Sequence, residues 1–389
     1  MKVMVLGGCG IQGRTAVYDL SRSERVTQVV CADADLAPMA AISDIADMAK
    51  IRAVELDASS AETLARAFEN VDVAIDLLPR GFLETVCRAA VAAGVSLVNT
   101  NYAAGIAHLD AAARRAGVAV MPEAGLDPGI DLVICGEAAR RFDRLETVNS
   151  YCGGIPEATA CDNPLNYKVS WIWEGVLSST MREARLIRGG REVTVPALEQ
   201  HRPDMIHEVP FPGLGTLEAI PNGDAVAFIE QMGARDTIVD TGRYSLRWPG
   251  WSAFWHPLKQ LGFFSSEPVA GLDGTVSPLD LLDKFLGPRL QYRRDERDLV
   301  VMLNIFEGQR GGKRTRLVSR MLLARDLDTG LMAMSMGVGY TASIVAQMMA
   351  GGEIDGNGVL SPIRDIPYRP FMAALARRGV RIEEEESGL

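Results

Sequence analysis

The sequence predicts an α/β fold with a doubly wound parallel sheet, joined to a second, α+β domain. Three observations lead there. A short apolar run, Val3-Met4-Val5-Leu6, feeds a glycine turn in which Gly8, Gly10 and Gly13 fit G-x-G-x-x-G. Continuous apolar runs then alternate with helix-like runs to about residue 124, the pattern of parallel strands covered on both faces. After Gly125 the texture changes: tryptophan, proline and turn dipeptides such as Pro221-Asn222-Gly223 become common.

The elements follow in order. The strand 3–6 leads through Gly7 to a helix over Arg14–Leu20. The three motif glycines turn the chain, admit a pyrophosphate and let helix pack on strand; Ile11 and Gln12 lie within that turn as cofactor-binding candidates, and the free N–H groups of the helix start face the phosphates. This is a Rossmann-type dinucleotide fingerprint. A strand over Val26–Ala32 ends at Asp33, twenty residues after Gly13, where a carboxylate bonds the adenosine ribose. A carboxylate there repels a 2′-phosphate, so NAD is expected over NADP; Asp35 shares the turn. Further strands are expected over 53–56, 71–77, 95–99 and 118–121, and helices over 61–68, 82–93 and 106–116. Ligands of such sheets lie beyond the strands' carboxyl ends. Asp57, Leu78, Pro79, Asn99, Tyr102 and Glu123 all fall there. In the second half, strands are expected over 147–152, 192–195 and 299–306. The uncharged stretch 330–352 reads as a strand, a turn at Gly337-Val338-Gly339 and a buried helix rather than a membrane span. A helix is expected over 368–378, and Glu383–Glu386 reads as a solvated tail.

Composition narrows the function classes. The chain has 389 residues, 48% of them hydrophobic, and a formal net charge of −10. That length suits two domains, and the charge argues against a nucleic-acid partner. Six cysteines lie scattered with no C-x-x-C, and four histidines show no ligand spacing; no metal site is expected. The first residues read as a strand, not a signal peptide, so the expected compartment is the cytoplasm, with no membrane partner.

The middle of the chain carries a resemblance. Val120-Met121-Pro122-Glu123-Ala124-Gly125-Leu126-Asp127-Pro128-Gly129-Ile130-Asp131 is similar to the crossover segment of the saccharopine reductases, the glutamate-forming saccharopine dehydrogenases. Ser150-Tyr151-Cys152-Gly153-Gly154-Ile155-Pro156 and the stretch Asp162–Trp171 resemble their next two signatures, and Leu246-Arg247-Trp248 resembles their arginine strand. L-lysine 6-dehydrogenases resemble the same scaffold. The resemblance implies a homodimeric NAD(P)-dependent oxidoreductase that moves a hydride between nicotinamide and the C–N carbon of a lysine-derived amino acid, saccharopine or L-lysine. It implies a dinucleotide domain over 1–124 and a substrate-binding and dimerisation domain over 125–355, with 356–389 packing back on the first.

By the same resemblance Asp127 stabilises a protonated imine, Tyr102 hydrogen-bonds the substrate, Cys152 and Gly153 line the pocket, Lys168 steers a carboxylate or moves a proton, and Arg247 holds a carboxylate. On physical grounds alone Asp127 also suits a turn, Cys152 packing, and Lys168 a solvated surface. The fungal pattern has arginines where this chain has Glu174 and Gly223. Arginine grips carboxylates through a planar fork that other residues do not reproduce, so saccharopine and lysine both stay open, with Arg182, Arg185, Arg243 and Arg247 as replacement clamps. Trp171, Trp173, Trp248, Trp251 and Trp255 suit a domain or dimer interface. Other readings are a semialdehyde-type or polyamine-type dehydrogenase, and a non-catalytic NAD-binding sensor or interaction protein.

Overall fold

The computed structural model describes residues 1–269, 271 and 276–389, which form two compact units: Met1–Glu137 with Met334–Arg381, and Ala138–Ala333 with Ile382–Leu389. The chain opens with β1 (Lys2–Leu6), α1 (Ile11–Arg22), β2 (Gln28–Asp33), β3 (Ile51–Glu55), α2 (Ala61–Ala67), β4 (Val73–Asp76), α3 (Leu83–Ala93), β5 (Ser96–Asn99), α4 (Asp110–Ala116), β6 (Ala119–Met121) and α5 (Ile130–Arg141). Strands β1, β4 and β5 are apolar on both faces, as burial under helices requires; Val3, Val5, Val73, Ile75 and Val98 are fully buried. Helices α3 and α4 stop at Gly94 and Gly117, both left-handed, the usual glycine stop.

The second unit holds β7 (Arg144–Pro156), α6 (Trp173–Thr180), β8 (Ala184–Arg188), β9 (Arg191–Val195), β10 (His207–Phe211), β11 (Gly215–Pro221), β12 (Gly223–Asp224), α7 (Ala225–Gln231), β13 (Asp240–Arg247), α8 (Trp251–Gln260), α9 (Pro278–Leu286), β14 (Asp298–Arg310) and β15 (Lys313–Ala324). The chain then returns to the first unit through α10 (Ala333–Ala350), β16 (Gly358–Val359), α11 (Pro362–Asp365) and α12 (Tyr368–Arg377), and ends in β17 (Glu383–Gly388).

The first sheet has seven strands in the order β16-β6-β5-β4-β1-β2-β3, every pair parallel. This is the doubly wound dinucleotide-binding order, whose chain reversal lies between β1 and β4. The second sheet is mixed, with main path β10-β11-β13-β7-β14-β15-β17. One of its faces carries an apolar core that includes Tyr151, Ile155, Leu217, Leu246 and Val301. Trp173, Trp251 and Trp255 are buried in a separate core with Tyr167 and Phe264. These three tryptophans therefore build the interior of the second unit and are not held in reserve for an interface.

Four expectations change. The first unit runs to 137, not 124, because the front of α5 packs on the returning chain: a Cβ on Gly136 would lie 2.0 Å from the Ile363 carbonyl oxygen. The return begins at Met334, not 356. Gly337-Val338-Gly339 is not a turn but the body of the 18-residue α10. Those glycines serve close packing, since a Cβ on Gly339 would sit 2.8 Å from Thr15 Cβ and 2.9 Å from the Gln12 carbonyl oxygen. Ser343 Oγ donates to Asp19 Oδ2 at 2.5 Å, and Arg378 Nε to Asp19 Oδ1 at 2.6 Å, so α10 and α12 are both pinned to α1. Finally, Glu383–Glu386 is not a tail: it pairs antiparallel with β15. Its carboxylates alternate with cations, Arg141 with Glu384 at 2.6 Å and Arg320 with Glu385 at 2.7 Å, while Arg310 bonds Glu386. Among the described residues no helix is long and apolar enough to cross a membrane.

Candidate functional site

The carboxyl edge of the parallel sheet gathers most of the residues singled out in the first unit. Gly7 turns the chain with φ +71°. A Cβ on Gly13 would fall 2.0 Å from the Gly7 carbonyl oxygen, so only glycine lets α1 start this close to β1. The Gly10 N-cap brings no side-chain cap to α1. The first-turn amides, including those of Ile11 and Gln12, have no intrahelical partner, an arrangement that can hold an anion.

Asp33 closes β2 beside that turn. Its Oδ2 accepts the Cys9 N–H at 2.9 Å, and Asp35 Oδ1 accepts the Ala37 N–H at 2.9 Å. Asp57 follows the edge strand β3 and is exposed; the Ser59 N–H holds its carboxyl below the usual range. Leu78 donates its N–H to Asp76 Oδ1 at 3.0 Å, and Pro79 follows exposed. Asn99 is buried at the end of β5; its Oδ1 takes the Asn101 N–H, and its Nδ2 has no partner.

Sequence reasoning missed Asp76, the register neighbour of Asn99. Its Oδ2 is buried without a partner, and burial pushes its pKa up to about 7 although the Leu78 N–H works the other way. A lone Asp in an apolar strand was the available signal.

The Tyr102 loop and the crossover segment are laced together. Glu123, at φ +58°, gives its N–H to the Asn101 carbonyl, and its Oε1 accepts the Ala103 N–H at 3.1 Å. Tyr102 caps the short turn 103–105. Asp127 precedes a cis Pro128, and Gly129 donates its N–H to Asp131 Oδ1 at 2.8 Å. Asp131 is fully buried; burial raises its pKa to about 7, Gly129 N–H opposes this, and the Glu123 charge adds to it.

In the second unit the sheet face opposite the apolar core is polar at its centre. Cys152 lies buried between Ser245 of β13 and Met302 of β14, in register with both. At Gly153 β7 runs close against β13: a Cβ there would lie 2.2 Å from the Leu246 carbonyl oxygen. That points to strand packing rather than ligand approach. Asn222 Nδ2 donates to Ser245 Oγ at 2.6 Å, and Arg182 reaches Asn222 Oδ1 at 3.4 Å.

Arg247 ends β13 with only 8% of its surface exposed. Its guanidinium carbon lies 5.3 Å from the Tyr167 ring centre and 5.1 Å from that of Trp251, a cation–π cradle. Nη1 donates to the Leu246 carbonyl at 2.7 Å, and among the described residues Nε is buried without a partner and no carboxylate pairs with the guanidinium. Arg243, four residues earlier, is buried over the Phe228 ring at 4.3 Å. Arg185 is no clamp, because Asp224 and Glu192 neutralise it at 2.6 and 3.2 Å.

Lys168 departs from both expectations. It is 2% exposed, not solvated. Nor is its ammonium available to a substrate: it donates to both Glu296 oxygens at 2.8 Å and to Asp162 at 2.9 Å. Burial works against the charge, but these bonds outweigh it and hold the pKa above the ordinary lysine value. The ion pair anchors the 162–171 segment that brings Tyr167 over Arg247. The Glu296 partner, 128 residues away, had no local signal.

A buried pair, His201 and Lys259, was also missed. Lys259 donates to the Ala197 carbonyl at 2.8 Å and to Gln200 Oε1 at 3.2 Å, and burial lowers its pKa to about 7. Burial, Lys259 and Arg247 push His201 down to about 2. On the other sheet face Tyr151, Tyr244, His207 and Arg188 line a cavity of about 520 Å³.

Comparison with known proteins gives these parts a context. Residues 3–121 match the model of the saccharopine dehydrogenase NADP binding domain, and residues 125–380 that of the saccharopine dehydrogenase C-terminal domain. A saccharopine dehydrogenase [NADP(+), L-glutamate-forming] of Schizosaccharomyces pombe is 27% identical, covering 98% of each chain. The mitochondrial α-aminoadipic semialdehyde synthase of Mus musculus is 25% identical across 97% of this chain and 47% of its own. Among solved structures, the apo saccharopine dehydrogenase (L-Glu forming) of Saccharomyces cerevisiae superposes over 100% of both chains with a TM-score of 0.86 at 23% identity. A homospermidine synthase from Legionella pneumophila covers 99% of this chain and 91% of its own, with a TM-score of 0.65 at 9% identity. These two likenesses concern the fold.

Proposed function

The chain belongs to the saccharopine dehydrogenase family of NAD(P)-dependent oxidoreductases acting on C–N bonds, and from that premise we propose that it interconverts a secondary amine of the saccharopine type with its carbonyl and amino-acid parts. The observation that carries this reading is Arg247. A buried guanidinium held between two aromatic rings, with no carboxylate partner among the described residues, is costly unless an anion completes it. A substrate carboxylate is such an anion. The relatives' names support the same substrate.

The residues present suit a dinucleotide. A close-packed glycine turn, the uncapped α1 terminus and the partnerless Asn99 Nδ2 offer donors for pyrophosphate and ribose. Bound there, the nicotinamide supplies or accepts the hydride. Asp127 balances the positive charge of a protonated imine, Tyr102 hydrogen-bonds the substrate, Cys152 lines the pocket, and Lys168 acts as a positioning residue through its ion pair.

Within this reading NAD is the preferred cofactor. Asp33 and Asp35 put two carboxylates where a 2′-phosphate would lie. The opposing observation is that the family model and the curated relatives are named for NADP(+). We also infer a homodimer, to be read as twice 42.0 kDa by light scattering.

A second reading, oxidation of L-lysine at its primary amine with release of ammonia, is favoured by Glu174 and Gly223 standing where the fungal pattern has arginines. A screen of saccharopine, L-lysine and polyamines with NAD and NADP, read by reduced-nicotinamide absorbance with glutamate and ammonia assays, separates the readings. Saccharopine turnover with glutamate release is expected. Ammonia from lysine alone would replace the first reading with the second. Nicotinamide binding without turnover of any amine would favour a sensor.

A further inference from the structure

Two thiols face each other beneath the glycine turn. Strand alternation puts Cys31 and Asp33 on the same face of β2, and both reach residue 9. Asp33 Oδ2 accepts the Cys9 N–H at 2.9 Å, and Cys31 Sγ lies 3.7 Å from Cys9 Sγ. Both side chains are buried, with 2% of Cys9 and 0% of Cys31 exposed. A Cβ on Gly8 would come 2.6 Å from Cys31 Sγ, so this thiol lies directly against the turn's backbone.

We propose that Cys9 and Cys31 form a redox modification site: a peroxide joins them in a disulfide that weakens dinucleotide binding. The consequence rests on the reading of the glycine turn as the dinucleotide site; the disulfide itself does not. The Cys9 thiolate attacks one oxygen of hydrogen peroxide and becomes a sulfenic acid, and the departing hydroxide takes a proton to give water. The Cys31 thiol then attacks that sulfur and displaces a second water. An S–S bond forms, the O–O bond breaks, and two electrons and two protons pass from the thiols to the peroxide.

Cys9 leads because it sits at the N-terminus of α1, which favours a thiolate. Burial nevertheless raises its pKa; contact with Cys31 and the Arg14 charge lower it, and Asp33 and Asp35 raise it. Oxidation is therefore slow at neutral pH and quickens as pH rises. The sulfurs must close from 3.7 Å to about 2.05 Å. That draws residue 9 toward β2 and shifts both the turn and the amide bonded to Asp33.

The test uses the full chain. Protein free of dinucleotide is treated with hydrogen peroxide at mildly alkaline pH, alkylated and digested with trypsin. The expected product links peptide 3–14 to peptide 26–50. NADH titration should show about tenfold weaker binding, restored by dithiothreitol. Cys31→Ser and Cys9→Ser should lose both the linked peptide and the shift. Absence of the link while the other cysteines oxidise would overturn the site. So would a linked protein with unchanged NADH affinity, or the same loss of affinity in both variants. Reduced wild-type protein that binds neither NADH nor NADPH would overturn the dinucleotide reading instead, while the mass measurement still decides whether the disulfide forms.

Discussion

Asp33→Ala separates the two cofactors. In the wild-type protein Asp33 Oδ2 holds the Cys9 N–H at 2.9 Å and Asp35 follows two residues later. Two unit charges about 4 Å apart cost about 1 kcal/mol in water and about 4 kcal/mol at an effective dielectric of 20. Taking the low end for each carboxylate, a 2′-phosphate is penalised by about 2–3 kcal/mol, or roughly 30- to 150-fold in affinity. In the proposed dinucleotide site the same carboxylate would accept ribose hydroxyls, and a hydrogen bond to a charged group contributes about 1.5–3 kcal/mol. Asp33→Ala should therefore weaken NADH by about 10- to 150-fold while NADPH changes little, closing most of the gap. Fluorescence titration of both nucleotides against both proteins measures it. A wild-type protein that binds NADPH as tightly as NADH would refute the reasoning, as would a variant whose NADH/NADPH ratio stays where it was.

Other outcomes follow from the same structure. Arg247→Lys keeps a charge but loses the fork, so kcat/KM for a carboxylate-bearing amine should fall by about 3 kcal/mol, roughly 150-fold, with NADH affinity unchanged; a change under threefold would remove Arg247 from substrate binding. Gly339→Ala places a Cβ 2.8 Å from Thr15 Cβ and should cost about 1–3 kcal/mol of stability. It should also weaken NADH through the displaced α1, and a variant with unchanged melting and affinity would contradict that packing. In the folded state burial lowers the pKa of Lys259 from the ordinary lysine value of 10.5 to about 7. The unfolded chain thus binds more protons between those pH values, and stability should rise with pH across that window; Lys259→Met should flatten the rise in denaturant titrations, and identical pH profiles would refute the assignment. Removing residues 383–389 uncovers the edge of β15 and should promote association through it, whereas a monodisperse, equally stable product would argue against the strand's role.

The dinucleotide half was legible because its signals are local. A buried parallel strand is a continuous apolar run, and residues 73–76 and 96–99 show it without help from anything distant. The glycine turn was legible for the same reason: the clash at Gly13 involves Gly7, six residues away. Where a residue's meaning depended on a remote neighbour, sequence reasoning went astray. Gly337 and Gly339 look like turn residues until Leu126 and α1 are seen packed against them. Four glutamates look like a tail until Arg141, Arg310 and Arg320 are found beside them.

The candidate site divides along the same line. Gly8, Gly10, Gly13, Asp33 and Asn99 could be placed at one sheet edge from strand ends alone. Arg247 could be named through resemblance, yet its lack of a carboxylate and its seat between Tyr167 and Trp251 could not. Lys168 looked available until Glu296 took its charge; Asp76 gave only the faint signal of a lone carboxylate in an apolar strand.

By itself the sequence determined the parallel sheet, the glycine turn and the carboxylate after β2, because backbone sterics and strand burial act over a few residues. Only the tertiary structure decided which charges are paired with one another. A side chain's electrostatic fate is set by groups brought within about 4 Å by folding, and those groups are scattered along the chain.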